Sequence, residues 1–358
     1  MKVAIFHDYF DKCGGGEKLV LNLARSLNAH VYTGFIDRKK TFDTTGVKII
    51  NLHVSKKMTQ LHRNKAIEKT FSKLKVDGYD IYIFSGVWCI SAAKNHKPNM
   101  IYLHTPPRFV YDLKEHFMKN LNFLQRKILR NFIKQWEPVF RENMNYFDII
   151  CTNSKNVKNR VLKYMGKDLY KKSRVVYTGF DTSKFYNKSD EGFYLSASRL
   201  DPLKRTDLII AAFKKNGKKL VIVGSGSDEN RLRKLAKGYL NISFTGNVSE
   251  NKLLNLYSRC KATIIAAVDE DLGLVPLESH ASGKPCIAVK EGGFIETIKD
   301  SKNGIFFKPD VKSLLTAIKK CEKIKWSSKH IQRSAKKYDI DIFSNKMNII
   351  AKNIIKKK

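Results

Sequence analysis

The stretch Ala262–Val289, ATIIAAVDEDLGLVPLESHASGKPCIAV, decides how the chain is read. It opens with the apolar run Ala262–Val268, which has the length of a strand buried on both faces of a parallel sheet. Three acids follow, Asp269, Glu270 and Asp271, and then Gly273 ahead of a helical segment that carries Glu278 in its first turns. Ligands of open α/β sheets bind where a strand's carboxyl end meets a helix N-terminus. Two carboxylates flank that junction here, and Gly273 lets the backbone approach a ligand closely. Carboxylates accept strong hydrogen bonds from hydroxyls, which suits a sugar or a ribose. The amides just after Gly273, at Leu274 and Val275, suit a phosphate. A site for both is a site for a nucleotide sugar.

Outward from this stretch, apolar strand-like runs alternate with amphipathic helical ones, the pattern of parallel α/β sheets. The runs in the first half extend from Lys2–Phe6 to Arg174–Tyr177, and those in the second from Tyr194–Ser198 to Pro285–Val289. Between them TSKFYNKSDEG (182–192) is short and polar and reads as a linker. A chain of 358 residues is too long for one ordinary core and suits two domains. The expected division is 1–181 and 190–338, each Rossmann-like. The segment 341–358 alternates apolar residues and lysine at helical spacing.

Composition sets bounds on function. No apolar run reaches the roughly 18 residues that a membrane span needs, and the chain enters a strand directly at KVAIF, with no signal peptide expected. The six cysteines form no CxxC pair and no metal-site spacing, which fits reduced thiols in the cytoplasm. The net charge is +35. Residues 1–178 hold 33 Lys and Arg against 14 Asp and Glu, a net of +19, and the rest hold 35 against 19, a net of +16. The excess is spread over both halves, and no RNP, zinc-finger or helix-turn-helix cue accompanies it. A basic nucleic-acid-binding protein would account for the charge and for nothing else, so no nucleic-acid partner is expected. Two segments concentrate cations among apolar residues at helical spacing, Lys56–Lys75 and Lys114–Arg141. Such helices lie on an anionic membrane surface, or pack on their own sheet with a solvated basic face. The first alternative makes the protein peripheral on the cytoplasmic membrane face.

Glu270 and Glu278 stand at the E-x7-E spacing of retaining GT-B glycosyltransferases, and the longer string DEDLGLVPLESHASGKPCIAVKEGGFIETI resembles glycosyltransferase family 4. The resemblance implies two Rossmann-like domains facing across a cleft, with segment 341–358 crossing back to the N-terminal, acceptor-side domain. Three further stretches carry it. HDYFDKCGGGEK (7–18) is similar to the family's glycine-rich loop, placing Gly15 and Gly16 near the donor's phosphates. Glu17 there contacts the acceptor or caps the helix. IYLHTPPRFVYDL (101–113) resembles the HTPxRYxWD stretch of mannosyltransferases, with Phe109 and Tyr111 where Tyr and Trp are usual. That implies His104 at the transferred sugar and Arg108 on the acceptor side. SRLDPLK (198–204) matches the RLxxxK clamp, so Arg199 and Lys204 would hold the donor diphosphate.

Other loops match as well. Gly246 and Val248 in FTGNV would frame the base, Gly224 and Gly226 belong to a further loop, and Gly292 and Gly293 would lie near the sugar. The implied reaction is transfer of a hexose with retention, with Glu270 at the sugar and Glu278 at the ribose. Mannose from GDP-mannose is the expected donor, a UDP-sugar the alternative, and a glycan or lipid-linked hydroxyl the acceptor. Cations and amide dipoles would stabilise the leaving diphosphate. The resemblance implies no cofactor and no bound metal, and the absence of an Asp-x-Asp motif placed to hold a metal agrees with it.

Overall fold

The computed structural model describes residues 1–119 and 121–357. Asn120, inside the basic segment Lys114–Arg141, and Lys358, the end of segment 341–358, lie outside them. The chain forms two compact units, Met1–Gly179 with Asp341–Lys358, and Phe180–Ile340.

Seven strands build the first unit: β1 (Val3–His7), β2 (His30–Thr33), β3 (Lys48–Asn51), β4 (Ile81–Ser85), β5 (Asn99–Leu103), β6 (Ile149–Thr152) and β7 (Ser173–Val175). All pair in parallel in the order β3-β2-β1-β4-β5-β6-β7. Residues of β1, β4 and β5 are buried throughout. Runs rich in branched and aromatic side chains with no alternation are what a sheet covered on both faces requires. The covering helices are α1 (Gly15–Leu27), α2 (Gln60–Lys73), α3 (Lys114–Met118), α4 (Phe123–Asn145), α5 (Lys155–Met165) and α6 (Lys167–Lys172). A 3-10 turn at Cys89–Asn95 follows β4.

The second unit repeats the plan with six parallel strands: β8 (Phe193–Ala197), β9 (Lys219–Val223), β10 (Ile242–Gly246), β11 (Ala262–Ile265), β12 (Cys286–Val289) and β13 (Gly304–Phe307). Their order is β10-β9-β8-β11-β12-β13. Its helices are α7 (Thr206–Asn216), α8 (Glu229–Ala236), α9 (Glu250–Arg259), α10 (Leu274–Ala281), α11 (Phe294–Thr297), α12 (Val311–Lys323) and α13 (Ser328–Lys336). From Asp341 the last helix, α14 (Ile340–Ile355), belongs to the first unit. It buries Phe343, Met347, Ala351 and Ile354, one face of a helix. The Phe343 ring meets Tyr102 edge-on at 5.2 Å between centroids.

The structure differs from expectation at four points. Strand β13 went unread, and the basic segment Lys114–Arg141 covers two helices, α3 and α4, instead of one. Residues 182–192 are not a free linker. They lie inside the second unit, with a 3-10 turn at Thr182–Lys184 and with Lys188 and Glu191 N–H groups donating to the carbonyls of Ser258 and Arg259. Polar composition marked the stretch as exposed, but several of its backbone groups are paired. The units divide at 179/180, where the sequence suggested 181 and 190.

Candidate active site

In the second sheet the strand order reverses between β8 and β11, and ligands of open sheets bind outside the carboxyl ends of strands at such a switch point. Two loops emerge there. The loop after β8 carries Arg199 and Lys204, and the loop after β11 carries Asp269–Gly273. The Val268 N–H donates to the Leu203 carbonyl at 2.8 Å, which ties the loops together. The Lys204 ammonium donates to Glu270 Oε2 at 2.6 Å. The Glu270 carbonyl accepts from Gly293 N–H at 2.8 Å, so both its backbone and its side chain are held. Gly292, at φ 53°, packs so tightly on Asp269–Glu270 that any Cβ would collide with their backbone.

Gly273, at φ 83°, starts helix α10, and a Cβ there would run into the Phe294 ring. No side chain caps this helix, and its first N–H groups, at Leu274 and Val275, have no acceptor within it. One turn further, Glu278 accepts the Tyr257 hydroxyl proton at 2.7 Å. Burial, and then the Glu278 charge, push the Tyr257 phenol well above its ordinary pKa, so it stays a donor. A cation, two anchored carboxylates and the first amides of a helix thus share one loop cluster. That set can accept from sugar hydroxyls and donate to phosphate oxygens.

The first sheet reverses between β1 and β4, with His7 ending β1, Ser85 ending β4, and His104 just past β5. His7 Nδ1 donates to the Ser85 carbonyl, and Ser85 Oγ lies 3.0 Å from His104 Nε2. The Asp8 carboxylate accepts the N–H groups of Val87, Trp88 and Cys89 at 2.7, 2.9 and 2.8 Å. Helix α1 begins at Gly15, and a Cβ on Gly16 would stand 3.7 Å from the His104 ring. His104 is largely buried, and burial followed by the nearby His7 pushes its pKa down to about 4. It is therefore neutral at ordinary pH. Beside it, Thr105 accepts from the buried Arg160 at 2.8 Å.

Residues 13–184 match the family model Glycosyltransferase Family 4, and residues 180–338 match Glycosyl transferases group 1. The Dictyostelium discoideum alpha-1,3/1,6-mannosyltransferase ALG2 is 25% identical over 419 aligned positions, covering 99% of this chain and 98% of that one. A Mycobacterium tuberculosis GDP-mannose-dependent alpha-(1-6)-phosphatidylinositol monomannoside mannosyltransferase is 34% identical over 137 residues, 34% of this chain and 36% of that one. Several curated relatives are matched over half of their length or less. Among solved structures, Anabaena HepE in complex with UDP-glucose superposes with a TM-score of 0.76 at 16% identity, covering 99% of this chain and 100% of that one. The chain is a family 4-like glycosyltransferase of the GT-B fold.

In this glycosyltransferase the anticipated residues gather into two sets, one in each unit. Lys204, Glu270, Gly273, Leu274, Val275 and Glu278 surround the start of α10, and Gly15, Gly16 and Glu17 form the first turn of α1 beside His104. Glu17 is buried there with Lys12 at 3.9 Å, while Arg108 pairs with Asp112 at 2.7 Å. Arg199 differs from its expected clamp partner. Its side chain is 70% exposed and engaged by Asp201 at 3.0 Å, whereas Lys204 turns to Glu270. Gly246 ends β10, its carbonyl accepting from Gly224, and Val248 packs against the apolar cluster that includes Leu195, Val223 and Leu256. His7, Asp8 and Ser85 escaped the sequence reading as site residues. The only signal was the polar HDY immediately after an apolar strand.

Proposed function

We propose that this glycosyltransferase moves mannose from GDP-mannose to a hydroxyl of a glycan or lipid-linked acceptor, with retention at the anomeric carbon. The observation that carries this reading is the Lys204–Glu270 pair poised beside the amides that start α10. The breaking glycosidic bond leaves growing negative charge on the nucleoside diphosphate. Lys204 and the Leu274 and Val275 N–H groups answer that charge, and Arg199 joins them by turning from Asp201. Glu270 and Gly293 set the transferred sugar, and Glu278, oriented by Tyr257, accepts from the ribose. A front-side displacement fits these roles, because the departing phosphate can take the acceptor proton while the protein supplies position and electrostatics. None of this asks for a metal or another cofactor, so turnover should persist in chelator.

Mannose is favoured by the HTPPRF segment and by relatives named as mannosyltransferases, one of them GDP-mannose-dependent. A UDP-sugar is the second reading, since HepE was crystallised with UDP-glucose. Thermal shift separates them, because a ligand at 100 times its Kd stabilises by about 2.7 kcal/mol. Stabilisation by GDP and GDP-mannose but not by UDP-glucose supports the first donor, and the reverse result replaces it.

The acceptor side points to an anionic membrane face. Helix α4 connects β5 to β6 and runs antiparallel to them, so its first turns lie at the carboxyl end of the sheet, where His104 stands. Phe123, Leu124 and Ile128 there are 83%, 63% and 50% exposed. Residues 123–134, FLQRKILRNFIK, add Arg126, Lys127, Arg130 and Lys134 with no acid. The other basic segment, Lys56–Lys75, packs against the buried side of α4, since Trp136 donates to Glu68 at 2.8 Å and Lys65 lies over the Phe132 ring. Apolar side chains standing in solvent among cations suit a negatively charged bilayer surface. No helix of the described residues is long and apolar enough to cross a membrane.

A further inference from the structure

We infer that Ser85 is a positioning residue that fixes His104 as its Nδ1–H tautomer, making that ring a hydrogen-bond donor toward the ligand and not a general base. The inference rests on the glycosyltransferase reading above for what His104 meets, but its geometry stands alone. A carbonyl only accepts, so the contact from His7 to the Ser85 carbonyl requires a proton on His7 Nδ1. His104 lies close enough for the two rings to disfavour a second charge, and burial acts in the same direction. His104 is therefore a neutral ring with one proton to place.

The Ser85 hydroxyl decides where. Ser85 is 1% exposed, and the one recorded partner of its Oγ among the described residues is His104 Nε2, at 3.0 Å. Were Oγ to accept from Nε2–H, its own proton would be buried with nothing to meet, a costly arrangement. Donation from Oγ to Nε2 satisfies both groups and leaves the proton on Nδ1.

The backbone around Ser85 is built to hold this aim. Asp8 collects three successive N–H groups just beyond it, and Gly86 is packed so closely that a Cβ would overlap the Asp8 carboxylate. β1, β4 and β5 are neighbours in the sheet: His7 and Ser85 are register partners on β1 and β4, and His104 is the first residue after β5. A donor at Nδ1 orients an oxygen of the transferred sugar. It leaves removal of the acceptor's proton to another group, in accord with the front-side displacement.

Histidine-selective 15N labelling of the full chain reads this directly, with the His104 signal assigned through His104→Gln. At pH 7 the ring should show a protonated Nδ1 and an unprotonated Nε2. Ser85→Ala should move it toward the other tautomer, and Ser85→Thr, which keeps the hydroxyl, should restore it. Turnover should follow, with kcat about tenfold lower in Ser85→Ala, the scale of one neutral hydrogen bond, and KM for the nucleotide sugar nearly unchanged. An Nε2–H ring in the parent chain, or a ring indifferent to Ser85→Ala, overturns the inference. Because the ring is measured without ligand, a wrong donor assignment leaves this result standing.

Discussion

Lys204 and Glu270 are 66 positions apart in sequence and 2.6 Å apart in space, each on a loop that leaves the reversal point of the second sheet. Both side chains are about three-quarters or more buried, so neither charge is simply a solvated surface group. The pair positions each partner. The carboxylate holds the ammonium beside the first turn of α10, and the ammonium restrains the carboxylate where a sugar hydroxyl would donate to it.

Removing the cation should therefore hurt catalysis more than folding. Lys204→Ala is expected to lower kcat about 10²- to 10³-fold, the scale of losing one preorganised charge stabiliser. Arg199→Ala should cost less if its engagement with Asp201 persists with donor bound, and about as much if the guanidinium swings to the diphosphate. Steady-state kinetics on both variants ranks the two cations. Parent-level turnover in Lys204→Ala would remove it from the site.

The two glutamates are expected to separate by ligand. Glu278→Gln should weaken both GDP and GDP-mannose by about 1–3 kcal/mol, the value of a hydrogen bond to a charged group. Glu270→Gln should leave GDP binding nearly intact while weakening or misplacing the sugar. Calorimetry with GDP alone decides the matter, and equal losses in both variants contradict the division of labour.

What the sequence shows of this fold is mostly its buried strands. Unbroken apolar runs such as VAIFH and ATII read as parallel strands because a sheet covered on both faces removes the alternation that would blur them. GIFF in β13 has the same character, yet it is four residues long at a sheet edge, and only its pairing with β12 makes it a strand. The residues around α10 were legible because they lie in one continuous string. The His7–Ser85–His104 contacts were not, since they depend on β1 lying beside β4 across 78 positions. Arg199 illustrates the reverse limit. A motif fixes residue types and spacing but not the direction of an exposed guanidinium, and here a carboxylate two residues away captures it.

Acid stability offers a test of the buried histidines. The pKa of His104 is pushed down to about 4 and that of His280 to about 3, both chiefly by burial, while the unfolded chain titrates near 6.5. Between those values the unfolded state binds more protons than the folded state, so stability falls as pH drops through 6.5 toward 4. Each unit of depression corresponds to about 1.4 kcal/mol. Denaturant titrations from pH 7 to pH 4.5, above the range where most carboxylates protonate, should show this loss. His280→Leu, at a fully buried position of α10, should flatten it. An unchanged slope in that variant assigns the loss to other groups.

The membrane reading makes the most demanding prediction, because two independent forces must act on the same surface. Cations on α2 and α4 should draw the protein to anionic vesicles, each nearby Lys or Arg contributing about 1 kcal/mol. The Debye length shrinks from about 10 Å at 0.1 M salt to 3 Å at 1 M, so this contribution should largely vanish at high salt. Phe123, Leu124 and Ile128, exposed on the first turns of α4, should add an apolar contribution that salt does not screen. Phe123→Ser with Ile128→Ser should then weaken binding without changing its salt slope, whereas Lys127→Gln with Arg130→Gln should reduce the slope itself. Both double variants should keep their turnover on a water-soluble acceptor, since neither pair lies in the donor machinery. Sedimentation with vesicles of phosphatidylglycerol and of phosphatidylcholine checks this. Equal binding to both lipids at 0.1 M salt would make the charge compositional, and binding to neither would make the acceptor a soluble glycan.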